Sequence, residues 1–96
     1  MLSFMHVATV DITPDALGQF DDLPRAIQRR MTNVVARLEA WPNVSGAKPM
    51  RGKLAGNFRV RTGDYRVLFR VEHHGEEFVI VVWRFGYRGD IYDREA

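Results

Sequence analysis

A chain of 96 residues has room for one hydrophobic core and not for two. Its apolar fraction of 46% and charged fraction of 27% suit an ordinary globular protein, and the absence of cysteine excludes disulfides and thiolate metal sites. The net charge of +2 says little by itself. No apolar run reaches the roughly 18 residues of a membrane-spanning helix, and no basic-then-apolar leader opens the chain, so a cytoplasmic protein without membrane contact is expected.

Residues 3–12 read as a first strand. Thr13-Pro14-Asp15 is a helix start, with Thr at the N-cap, Pro in the first turn and an acid beside it. That helix runs to about Phe20, and Asp22-Leu23-Pro24 repeats the signal for a second one. In the second helix Ile27, Met31, Val34, Leu38 and Trp41 form an apolar stripe at helical spacing, with Val35 beside it, while Arg25, Arg29, Arg30 and Arg37 line other faces. Pro42 stops it. Residues 43–56 read as a polar connection containing Gly and Pro.

Three strand-like segments follow. Phe58–Thr62 alternates, Gly63-Asp64 turns, and residues 65–72 place Tyr65, Val67, Phe69 and Val71 on one face. His73-His74-Gly75-Glu76 reads as the next turn, with both histidines exposed. Residues 78–85 are apolar on both parities, the mark of a strand covered on both faces, and Trp83 reads as core. The order β-α-α-β-β-β describes an α+β fold of two layers, two N-terminal helices on a mostly antiparallel four-stranded sheet.

Charge is concentrated in the second half. Residues 48–70 hold seven basic residues (Lys48, Arg51, Lys53, Arg59, Arg61, Arg66, Arg70) and one acid, Asp64, a local charge of +6 that attracts polyanions. Twelve of the fourteen basic residues of the chain are arginine, the better phosphate fork. Arg59 and Arg61 share a parity opposite Phe58 and Val60, and Arg66 and Arg70 share one opposite the apolar face of the next strand. The last hairpin brings Arg84 and the segment 86–92, with Tyr87 and Tyr92, alongside. Strand arginines beside a turn are often only a solvated face, and Tyr65 and Asp64 read as structural. The three histidines (His6, His73, His74) lack a zinc-site spacing, and no metal or other cofactor is expected.

Two segments, residues 48–71 (with Gly63-Asp-Tyr-Arg-Val67 at the turn) and Arg84-Phe-Gly-Tyr-Arg-Gly-Asp-Ile-Tyr92, resemble toxins of the RelE/ParE superfamily from bacterial type II toxin–antitoxin systems. The resemblance covers almost the whole chain as one domain, 1–96, and implies the RelE branch: an mRNA endoribonuclease acting in the ribosomal A site, with the RNA 2′-hydroxyl as nucleophile. Carried over by position, it makes Arg59, Arg61, Arg66, Arg88 and Tyr92 catalytic; the basic cluster and the last hairpin add Lys48, Arg51, Lys53, Arg84 and Tyr87 as RNA contacts. The implied partners are a cognate antitoxin, in a toxin–antitoxin hetero-oligomer, and the ribosome with its mRNA.

The chain departs from the RelE pattern where better-known members carry lysines, since arginine does not act as a general base near neutral pH. It also has Tyr87 where many relatives have histidine. Tyr92, Tyr87, Asp90, Lys53 or a ribosomal group is left to take the proton. The alternatives are a ParE-like toxin that inhibits DNA gyrase, and a catalytically weak homologue that acts through antitoxin binding.

Overall fold

Thr13 ends one element and starts the next. Its hydroxyl accepts a hydrogen bond from the Ala16 amide at 3.2 Å, as an N-cap does, while its own amide donates to the Val82 carbonyl at 3.0 Å. The junction therefore ties the first helix to the sheet. A computed structural model of the protein describes residues 8–87. Within it run β1 (Thr9–Ile12), α1 (Pro14–Asp21), α2 (Arg25–Leu38), β2 (Ala47–Pro49), a short 3-10 turn (Gly52–Leu54), β3 (Asn57–Thr62), β4 (Tyr65–His74) and β5 (Glu77–Tyr87). The first strand was expected from residue 3; residues 3–7 lie outside the described residues. Among those described, no helix is long and apolar enough to cross a membrane.

The strands make one five-stranded sheet in the order β1-β5-β4-β3-β2, with β1 parallel to β5 and every other pair antiparallel. One strand more than expected is present, because the connection 43–56 contributes β2 at the edge. Three residues ending in proline carry no alternation to read, and an edge is where proline is tolerated in a sheet.

The α2 stripe falls as its spacing predicts: Met31, Val34 and Leu38 are buried, with Ile27 and Val35 half-buried beside them. They cover the inner face of the sheet, formed by Val60, Val67, Phe69, Ile80, Val82 and Phe85. Each such side chain contributes about 1.5–3 kcal/mol by leaving water. The helix is shorter than expected at both ends, since Pro24 rather than Asp22 stands at its N-cap and Leu38 is its last residue. Trp41 still joins the core from the turn that follows, edge-on to Phe58 at 4.9 Å and to Phe69 at 5.6 Å.

Both hairpin turns are two residues long, with the glycine first and at positive φ: Gly63 at 61° and Gly75 at 65°. Glycine at that position is the signature of a II′ turn, whose twist matches the flanking strands. The second turn therefore comes at Gly75-Glu76, and His73 and His74 belong to β4 rather than to the turn. His73 pairs with Phe78 across the hairpin, their rings 4.6 Å apart.

The register of β4 with β5 slips once. Leu68 pairs with Arg84 but Phe69 pairs with Val82, so two residues of β5, Trp83 and Arg84, face one step of β4. Val82 and Phe85 on either side both point into the core. Trp83 and Arg84 consequently share the outer face, where Trp83 packs in a second, smaller apolar cluster and not in the main core. A β-bulge shifts parity in this way. The outer face of β5 is covered by Met50, Leu54 and Leu68 in a small apolar cluster with Trp83, not by a further layer of secondary structure.

Candidate functional site

The sheet register builds a basic patch on the outer face. One row across four strands reads Lys48, Arg59, Leu68, Arg84, and the next reads Arg61, Arg66, Gly86. Neighbouring strands stand about 4.8 Å apart, so the Arg59 and Arg84 backbones are separated by roughly 10 Å across β4. The two rows exist because β3 alternates without a break, while the bulge turns Arg84 outward.

The environments of these side chains differ. Lys48 and Arg61 are exposed; Arg59 and Arg84 are half-buried. Nη1 of Arg59 and Nε of Arg84 are buried and have no acceptor among the described residues. Among the described residues, no carboxylate pairs with Lys48, Arg51, Lys53, Arg59, Arg61 or Arg84. Lys48 and Arg59 stand directly opposite each other across the β2–β3 pair, and like charges so placed repel. The arrangement is unfavourable for the protein alone and suited to a bound polyanion.

Arg70, on the same face, is different. Its Nε donates to Glu72 Oε2 at 3.0 Å, and Glu72 Oε1 lies 3.1 Å from His74 Nε2. The His74 contact first, and then that of Arg70, hold the Glu72 carboxyl below its ordinary pKa. Arg70 is thus neutralised at the far end of the hairpin.

Arg66 is buried, with 1% of its surface exposed, and its Nη1 donates to the carbonyls of Tyr65 at 3.0 Å and Gly63 at 3.3 Å. Gly86 opposite it brings no side chain to compete for the space. This guanidinium braces the β3–β4 turn from the side of the basic patch. Parity alone pointed to an exposed arginine.

Tyr87, expected among the arginines, pairs with Tyr65 instead, their rings 5.5 Å apart on the parity of the core. It is exposed, 47% of its surface being accessible, but it stands at the end of the opposite face. Arg51 and Lys53 are exposed in the loop before β3. Arg88 and Tyr92 lie outside the described residues.

Two residues that carried no signal in the sequence support the patch. The amide of Phe85 donates to Gln19 Oε1 of α1 at 2.9 Å, so a side chain takes the place of a strand where β1 has ended. That bond holds the bulge that turns Arg84 outward. Asn57 accepts the Trp83 indole N–H at 3.0 Å and donates to the Leu54 carbonyl at 3.1 Å.

Residues 10–92 match the family model described as the ParE toxin of the type II toxin–antitoxin system parDE. The chain belongs to the RelE/ParE superfamily of type II toxins. The chain is 45% identical over 47 residues to Toxin RelG of Mycobacterium tuberculosis, a match covering 49% of the chain and 52% of RelG, so the chain spans about half the length of that curated relative. Its fold is similar to a chain of the toxin–antitoxin complex RelBE2 of M. tuberculosis, with a TM-score of 0.73 and 31% identity over 85% of the toxin and 99% of that chain. The E. coli toxin RelE in the free state shares the fold at 17% identity, with a TM-score of 0.70 over 94% of each chain. The two helices on a mostly antiparallel sheet are thus the superfamily fold, and the basic patch lies on the sheet face that the helices leave open.

Proposed function

We propose that the toxin is a ribosome-dependent mRNA endoribonuclease that arrests translation. The observation that carries this reading is the row of donors Lys48, Arg59 and Arg84 across one sheet face, with Arg61 beside it, none of them paired with a carboxylate among the described residues. Such donors suit the non-bridging oxygens of a phosphodiester. The likeness to RelE and RelG chains supports the same branch.

In the proposed reaction the RNA 2′-oxygen bonds to the adjacent phosphorus and the bond to the 5′-oxygen breaks. The products are a 2′,3′-cyclic phosphate and a 5′-hydroxyl end. Negative charge builds on the non-bridging oxygens and on the leaving oxygen, and donors held in place beforehand stabilise it. Arg59, Arg61 and Arg84 take that role, with Lys48, Arg51 and Lys53 guiding the flanking backbone. Arg66 fixes the turn that presents Arg61. Arg88 adds a further charge in the proposed site, and Tyr92 orients the 2′-hydroxyl or accepts its proton. The ribosome supplies the in-line geometry.

The solved relatives include RelE–RelB complexes, one from Pyrococcus horikoshii at 27% identity. By that likeness the toxin pairs with a cognate antitoxin in a hetero-oligomer. An acidic antitoxin segment fits the charge of the patch.

A second reading follows from the match to the ParE toxin model, namely inhibition of DNA gyrase. Ribosome profiling after induction separates the two. Messenger RNA cut within ribosome-protected fragments supports the first reading; intact messages with accumulating DNA breaks support the second.

A further inference from the structure

Trp83 is the one large aromatic side chain on the outer face of the described sheet. The indole N–H on β5 reaches Asn57 Oδ1 on β3 at 3.0 Å, and β4 lies between these two strands. The indole, the hydrogen bond and the Asn57 side chain together bridge the roughly 10 Å between β5 and β3. The indole is packed among Met50, Leu54 and Leu68 and is half-buried, so part of the ring stays open to solvent. Its neighbour in sequence and on the same face is Arg84, and Arg59 lies across Leu68 from Arg84. A ring is thus fixed in place beside the guanidinium groups of the basic row.

We propose that Trp83 is a stacking platform for an unpaired nucleobase of the bound RNA, beside the backbone phosphates drawn to the basic row. The proposal rests on the reading of the patch as an RNA site and adds a contact to the base, where the arginines contact only the backbone. Phosphate contacts are indifferent to sequence. A planar ring bearing no accessible hydrogen-bonding group, since Asn57 engages its N–H, favours bases by stacking strength and gives a graded preference for purines. Asn57 and the Met50–Leu54 cluster hold the indole before RNA arrives, so little side-chain freedom is lost on binding.

The test uses short, fluorescently labelled 2′-O-methyl oligoribonucleotides, which the toxin cannot cleave by 2′-hydroxyl attack, at low ionic strength. Two oligonucleotides of equal length are compared, one with all its bases and one with abasic central nucleotides, so that the phosphates are the same. The wild-type toxin is expected to bind the complete oligonucleotide about tenfold more tightly than the abasic one. Trp83→Leu, which keeps an apolar side chain over Leu68, loses that preference, and Trp83→Phe restores part of it. Equal binding of the two oligonucleotides by the wild type, a comparison that needs no variant, overturns the platform and leaves the arginine patch standing. An unchanged preference in a folded Trp83→Leu also overturns it. Failure of the wild type to bind either oligonucleotide overturns the RNA reading itself and the platform with it.

Discussion

Replacing Arg59 with methionine should make the free toxin more stable while it removes activity. Nη1 of Arg59 is buried without an acceptor among the described residues, and an unsatisfied buried donor costs about 1–3 kcal/mol. Arg59 also faces Lys48 across the β2–β3 pair, a like-charge contact whose removal is worth a few tenths of a kcal/mol to about 1 kcal/mol. Methionine keeps an apolar stem of similar length over the sheet, so little packing is lost. The net expectation is a gain of about 1 kcal/mol or more, which for a chain of this size raises Tm by about 4–8 °C per kcal/mol. Thermal unfolding followed by circular dichroism at low salt measures it. A ligand that binds the folded state stabilises in proportion to its occupancy, so inorganic polyphosphate should raise the wild-type Tm more than that of Arg59→Met. An Arg59→Met toxin that melts several degrees lower and responds equally to polyphosphate would refute the reasoning.

Other parts of the structure give independent expectations. Arg66→Ala removes donors to the Gly63 and Tyr65 carbonyls and should lower stability by about 2–4 kcal/mol, visible in urea unfolding, whereas Arg61→Ala on the exposed neighbour should cost under about 0.5 kcal/mol and reduce only activity. Gln19→Leu leaves the Phe85 amide without its acceptor; a loss of about 1–3 kcal/mol and faster hydrogen exchange at that amide are expected, and Gln19→Glu, which still offers an acceptor, should restore the protection. Met31→Ala, in the fully buried stripe, should cost about 2–5 kcal/mol in the same unfolding experiment. Glu72 has a lowered pKa in the folded protein, so its contribution is present above the ordinary carboxyl pKa and is lost as pH falls through the lowered value. Because Glu72 lies at the surface the effect is small, and Glu72→Gln should remove it from the acid limb of a Tm–pH profile measured at low salt.

Helix α2 and the β3–β4 hairpin could be read from the residues because their signals are local. The stripe Ile27, Met31, Val34 and Leu38 recurs at the helical period, and Gly63-Asp64 interrupts two alternating runs. What escaped depends on contacts distant in sequence. The bulge at Trp83 and Arg84 reverses the parity on which residues 78–85 were judged, and the Gln19 side chain that supports it lies 66 positions away. Arg66 looked exposed because it opposes an apolar face; the turn carbonyls that satisfy it and the bare Gly86 beside it appear only once the strands are paired. Tyr87 looked like a member of the arginine face, and the shift at the bulge sends it to the parity of Tyr65. Strand β2 has too few residues to show a period. Its Lys48 nevertheless falls in the row with Arg59, so the basic cluster was legible even where the strand was not.

Purified ribosomes programmed with a defined mRNA test the central claim most directly. Primer extension should show cleavage within the A-site codon on adding the toxin, none without ribosomes, and a loss of at least about a hundredfold in Arg59→Met and Arg84→Met variants that remain folded. Uncut mRNA under these conditions, together with inhibition of DNA gyrase supercoiling by the same preparation, would contradict the account.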